Sequence, residues 1–165
     1  MISLREINNK IITKENFYFL IIVLLIFGLD RYTKIEIINN FSETSFYIND
    51  FINFDLVWNT GIGFGLFQSS SSLLYNSISL LIAFVILFLI YFSIISDKFD
   101  KISFSLIIGG ATGNFYDRMI FKAVPDFIDL HYKNFHWFTF NVADILITLG
   151  IIIFLIKGFL VSKIK

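Results

Sequence analysis

The chain has 165 residues, of which 56% are hydrophobic and only 16% charged, and its mean hydropathy is +0.77. Soluble proteins carry about 25% charged residues, so this composition predicts residence in a membrane. Lysine plus arginine (13) balance aspartate plus glutamate (13), and cysteine is absent. Those facts argue against a nucleic-acid partner and exclude disulfide frameworks, thiolate metal sites and cysteine nucleophiles.

Four segments are apolar enough to cross a bilayer, which takes about 20 residues each. The first, about 16–38, is apolar from Phe17 to Leu29 and then carries Asp30, Arg31 and Lys34. No small-x-small cleavage site follows its apolar part, so it reads as a retained helix rather than a removed leader. Asp30 and Lys34 are four apart on one helical face and can pair; an interfacial anchor with a snorkelling lysine is the alternative. The segment from about 40 to 67 alternates with period two through Phe46–Ile48 and Phe51–Trp58, then breaks at Gly61, Gly63 and Gly65. It predicts a small extracytoplasmic β-element between the first two helices. After the polar turn 69–72, the second span (about 72–95) is uninterrupted.

The third span, about 102–120, contains 109-GGATGNFYDR-118. Gly109 and Gly113 form a small-xxx-small pair that permits close helix approach. Asn114, Asp117 and Arg118 follow at helical spacing, either as an interhelical clamp or as the polar wall of a site. The stretch 123–150 then holds Asp126, behind the chain's one proline (Pro125), and Asp144, inside 140-FNVAD-144. Asn141 is a good N-cap for a fourth span at about 141–161, with Asp144 at the position that reaches back to it. Capping explains Asn141 and Asp144, but it does not explain Asp126. Two carboxylates brought together where water is scarce share a proton, and the charged one can activate a water.

Four spans put both termini on one side. The tails and the 96–101 loop hold eight of the thirteen Lys/Arg, so the positive-inside rule makes the termini cytoplasmic and puts both aspartates near the outer face. His131 and His136 are five apart in a predicted loop without an HExxH pattern, which disfavours a metal site. Walker, GxSxG and GxGxxG signatures are absent, as is a suitably placed lysine for a serine dyad.

Taken in order, 30-DRYTK-34, 59-NTGIGFG-65, 109-GGATGNFYDR-118, 124-VPDFID-129 and 140-FNVAD-144 resemble the bacterial lipoprotein signal peptidases, also called signal peptidase II. The likeness runs from about residue 17 to 161. It implies a mainly α membrane peptidase of the bacterial inner membrane, a single domain over 1–165 and a monomer, without cofactor or metal. Its activity would be cleavage of diacylglyceryl-modified prolipoproteins just before the lipidated cysteine, with membrane lipids as the other contact. Carried over, Asp126 and Asp144 form the catalytic pair. Asn59, Asn114, Arg118 and Asn141 support substrate and dyad, Asp117 partners Arg118, and Asp30 with Lys34 make a structural pair. The family usually has a β-branched residue where this chain has Pro125, and often alanine at Gly63. A small proton-coupled transporter or a lipid-binding assembly subunit are the competing readings, and the lack of an internal repeat disfavours the first.

Overall fold

The computed structural model of the chain describes residues 11–61 and 72–162. Its elements run α1 (Lys14–Asn40), β1 (Phe46–Asn49), β2 (Ile52–Asn59), α2 (Ser72–Ile95), α3 (Lys98–Phe121), β3 (Val124–Tyr132), β4 (Phe135–Phe140) and α4 (Val142–Ser162). Gly63, Gly65, residues 69–71 of the predicted 69–72 turn and the terminal residues Arg5, Lys10, Lys163 and Lys165 lie outside the described residues, while Ser72 opens α2.

Helices α1 and α3 start where the sequence supplies a cap. Thr13 accepts from the Asn16 N–H at 3.1 Å to open α1, and Asp97 accepts from the Phe99 and Asp100 N–H groups to open α3. Only Ser96 and Asp97 separate α2 from α3, so the two run antiparallel. Lys122, at φ 59°, closes α3 in the left-handed region and turns the chain directly into β3.

Helix α3 is central, packing against α1, α2 and α4. Its glycines set the spacing. A Cβ on Gly109 would lie 2.6 Å from Ile26 of α1, and one on Gly110 would lie 2.7 Å from the Ala143 carbonyl of α4. Around them Phe19, Ile86, Phe104 and Ile108 form the apolar core. The outward faces stay greasy, with Leu80, Leu81, Phe84 and Leu87 of α2 and Ile152, Leu155 and Phe159 of α4 all exposed. Both helices are long and apolar enough to cross a membrane, over Ser72–Ile95 and Val142–Leu160. Helices α1 and α3 match them in length, at 27 and 24 residues, but carry the charged and glycine-rich stretches.

The sheet is larger than the sequence predicts. Strands β1 and β2 fall inside the expected β-element, and the stretch read as a loop around His131 and His136 forms a second hairpin, β3–β4. The four strands make one antiparallel sheet in the order β1-β2-β3-β4. It caps the end of the bundle where α1 and α3 finish and α2 and α4 begin. One extra residue bulges from β2 between Phe54 and Val57, and another from β4 between His136 and Thr139. Pro125 is fully buried opposite Trp58, where β3 already pairs with β2 but not yet with β4. This half-open position is where a strand tolerates a residue without an N–H.

Candidate active site

Asp126 and Asp144 reach the site from different elements, β3 and the first turn of α4. Both carboxylates are held by amide donors. Asn59, the last residue of β2, donates from Nδ2 to Asp126 Oδ2 at 2.9 Å, and Asn141 donates from Nδ2 to Asp126 Oδ1 at 2.6 Å. Asp144 accepts from Asn114 Nδ2 on Oδ1 at 2.8 Å and from the Asn141 backbone N–H on Oδ2 at 3.2 Å. All four carboxylate oxygens are therefore oriented.

The direction of each amide has its own cause. Asn141 Oδ1 accepts from the Asp144 N–H at 3.1 Å, completing a reciprocal capping box that turns its NH2 toward Asp126. Asn59 Oδ1 accepts from the Gly61 N–H at 2.8 Å, and Asn114 Oδ1 accepts from Lys34 Nζ at 2.7 Å. In each asparagine a donor occupies the oxygen, which leaves the NH2 for a carboxylate.

Lys34 is the deepest of these donors. It is fully buried, and its three N–H bonds go to Asn114, Asp30 Oδ2 at 2.9 Å and Asp117 Oδ2 at 2.8 Å. The snorkelling alternative does not hold, because the ammonium faces inward. Asp117 also pairs with Arg31, which lies over the Tyr116 ring at 5.0 Å. Two cations and two carboxylates thus form a neutral buried cluster, which a low-dielectric interior requires.

The expected Asp117–Arg118 partnership is corrected by this geometry. Adjacent helical residues point about 100° apart, so Asp117 turns to α1 while Arg118 turns away from it. Arg118 instead donates to the carbonyls of Gly61 at 2.8 Å and Asn114 at 3.2 Å, and Tyr75 of α2 donates to the Arg118 carbonyl. Asn114 and Arg118 close one end of an apolar groove of about 500 Å³ lined by Ile78, Val85 and Leu89 of α2, Ile107 and Ala111 of α3, and Ile147 and Ile151 of α4.

Asp126 is 2% exposed, and burial together with the charge of Asp144 pushes its pKa up to about 7, against the pull of its two asparagine donors. It therefore holds a proton over a range where an ordinary carboxyl has lost one.

Gly113 shows how closely the cluster is built. A Cβ there would sit 2.3 Å from Asp30 Oδ2, an atom that Lys34 holds in place. Gly113→Ala is expected to destabilise the protein by about 1–3 kcal/mol. Gly28→Ala, with nothing within 4 Å of the new methyl, should be neutral or slightly stabilising. Thermal unfolding of the two variants beside the parent checks the contrast.

Comparison with known proteins points to one family. The family model described as signal peptidase (SPase) II matches residues 22–160. The lipoprotein signal peptidase of Pelagibacter ubique (strain HTCC1062) is 50% identical over 146 residues, covering 87% of this chain and 88% of the relative. The chain belongs to the signal peptidase II family. The lipoprotein signal peptidase of Francisella tularensis subsp. mediasiatica (strain FSC147) is 38% identical over 151 residues, covering 88% of this chain and 93% of its own. A bacterial membrane enzyme solved by the in meso method at 2.3 Å superposes with a TM-score of 0.72 at 29% identity, covering 90% of this chain and 91% of that one. Membership makes the chain an aspartic peptidase of the signal peptidase II type.

Within this signal peptidase II fold, three contributors escaped the sequence reading: Arg31, Tyr75 and the Gly61 carbonyl. Arg31 sits in the quoted 30-DRYTK-34 block, one residue from a recognised pair. The other two act through long-range contacts that no local spacing reveals.

Proposed function

We propose that the chain cleaves the signal peptide from diacylglyceryl-modified prolipoproteins just before the lipidated cysteine, with Asp126 and Asp144 as its catalytic pair. The observation that carries this reading is the fixing of all four carboxylate oxygens by Asn59, Asn114 and the side chain and backbone of Asn141. Asp144 takes a proton from a water, and the resulting hydroxide attacks the carbonyl carbon that precedes the cysteine. Asp126 gives its proton to the carbonyl oxygen, forming a diol. When the diol collapses, Asp126 recovers a proton from it and Asp144 passes its own to the departing amine, so the dyad returns to its starting state.

The apolar groove between α2, α3 and α4 suits an apolar signal helix, and Arg118 and Asn114 at its end suit the peptide carbonyls near the cut. The four helices cross the inner membrane with both termini cytoplasmic and the sheet on the outer face. Exposed Tyr132, Phe135, Trp137 and Phe138 on that sheet fit the headgroup layer. The chain acts as a monomer and needs no cofactor.

The purified protein should cut a precursor bearing the diacylglyceryl cysteine and leave the same precursor uncut when that cysteine is unmodified. No cleavage of the lipidated form would overturn the reading. The dyad needs one proton, so kcat/KM should fall as pH rises through about 7, where Asp126 loses it. A pH–rate profile flat from 6 to 9 would contradict the assignment of the proton to Asp126.

A further inference from the structure

Strand β3 carries a second cluster. Asp126 and Asp129 are three residues apart, so side-chain alternation turns them to opposite faces of the strand. On the face away from the dyad, Asp129 meets His131 and His136. Asp129 Oδ2 lies 3.4 Å from His131 Nδ1 and 2.7 Å from His136 Nδ1, and ligand atoms of the three residues all fall within 4.8 Å of one another.

The β4 bulge produces this meeting. Asp129 pairs with Thr139, and an unbroken register would then set Trp137 opposite His131; the extra residue sets His136 there instead. The imidazoles stack with centroids 5.3 Å apart and planes at 26°. Asp129 and His131 are buried, whereas the His136 side chain is 58% exposed and leaves the cluster open on one side. His131 Nδ1 is a buried polar atom with no hydrogen-bond partner among the described residues. A histidine-to-carboxylate clamp would need only one imidazole, so the second, unsatisfied nitrogen calls for a further ligand.

We propose that Asp129, His131 and His136 bind one divalent transition-metal ion of the zinc or copper(II) class. Two imidazoles with one carboxylate select such ions over magnesium and calcium, which prefer all-oxygen sites. Bonds of about 2.0–2.2 Å set neighbouring ligand atoms roughly 3–3.5 Å apart. Asp129 and His131 already stand at that separation, and a shift of the exposed His136 ring completes the set, exchanging its hydrogen bond for a metal bond. The fourth position faces outward and takes water. With ligands on β3 and β4, the ion staples the hairpin that delivers Asp126. It takes no part in peptide hydrolysis, since it lies on the other face of the strand.

The test is calorimetric titration of the full chain in detergent, stripped with chelator, using zinc chloride and then copper(II) chloride. One ion per chain is expected, with affinity at least 10-fold weaker in His136→Ala and in Asp129→Asn, both of which should still fold and cut the lipidated precursor. The metal should also raise the thermal midpoint of the parent and not that of either variant. No binding to the parent, or binding unchanged in both variants, overturns the proposal. Because the readout is metal affinity, failure here leaves the peptidase reading standing, and failure of cleavage leaves this one standing.

Discussion

Asp126→Asn and Asp144→Asn are each expected to lower the cleavage rate by at least about 10³-fold, while the protein still accumulates and folds. Neither amide can act as base toward water or pass a proton back and forth. In Asp126→Asn the loss comes with a pH-dependent change in stability. Wild-type Asp126 is protonated in the folded state up to about pH 7 and ionised in the unfolded state above about pH 4, so stability falls as pH rises between those values. The span corresponds to about 4 kcal/mol, an upper figure for a buried group. The asparagine variant lacks this term. It has a local fault instead, because its NH2 meets the NH2 of Asn59 or Asn141 and one hydrogen bond of about 1–3 kcal/mol is lost. Asp126→Asn should therefore be less stable than wild type near pH 4.5, gain on it up to about pH 7 and hold that difference at pH 8. Thermal midpoints across that range, measured beside cleavage of the lipidated precursor, check both halves. A stability difference independent of pH would contradict the elevated pKa of Asp126, and full activity in either variant would remove the dyad.

The second large effect is expected at Lys34, which reaches Asp144 through one residue, Asn114. Lys34→Met removes an ammonium whose three donors are all engaged and leaves Asp30 buried against Asp117, with Arg31 as the remaining cation. Breaking one partner of a buried ionic cluster costs about 3–5 kcal/mol, or roughly 6–20 °C in the thermal midpoint for a domain of this size. The functional consequence runs through Asn114. Without Lys34 on its oxygen, the amide is free to rotate and present that oxygen to Asp144, replacing a hydrogen bond with repulsion between acceptors. Activity measured well below the variant's own midpoint should be down at least about 10-fold. Asp30→Asn combined with Lys34→Met should recover part of the stability but not the activity, since Asn114 stays unanchored. Recovery of both together would show that Lys34 acts on stability alone.

The legible and illegible parts of the sequence divide along physical lines. Helices α1 to α4 were visible because apolar stretches of that length have few other uses, and the reciprocal cap of Asn141 and Asp144 followed from spacing and side-chain chemistry. The Asp30–Lys34 pair was equally local. Its connection to Asn114 and Asp117 was not, because that depends on α1 pressing against the glycine face of α3. Hairpin β3–β4 was hidden for a different reason. Period-two patterning needs one wet face, but β3 is buried at every position from Val124 to Phe127, and the exposed positions of β4 include Phe135, Trp137 and Phe138. With apolar residues on both sides of the strand, the alternation that reveals a hairpin disappears. The meeting of His131 with His136 was lost with it.

The amide network also bears on how such an enzyme is made. Its donors and carboxylates come from β2, α3, β3, the cap residue Asn141 and α4, so Asn141 and Asp144 follow the other members in chain order. A partly inserted chain therefore has Asp126 without its partner and Asn114 without a carboxylate to hold. On the proposed mechanism, the chain is inert until α4 docks. Docking of α4 is therefore the step that brings Asp144 to Asp126.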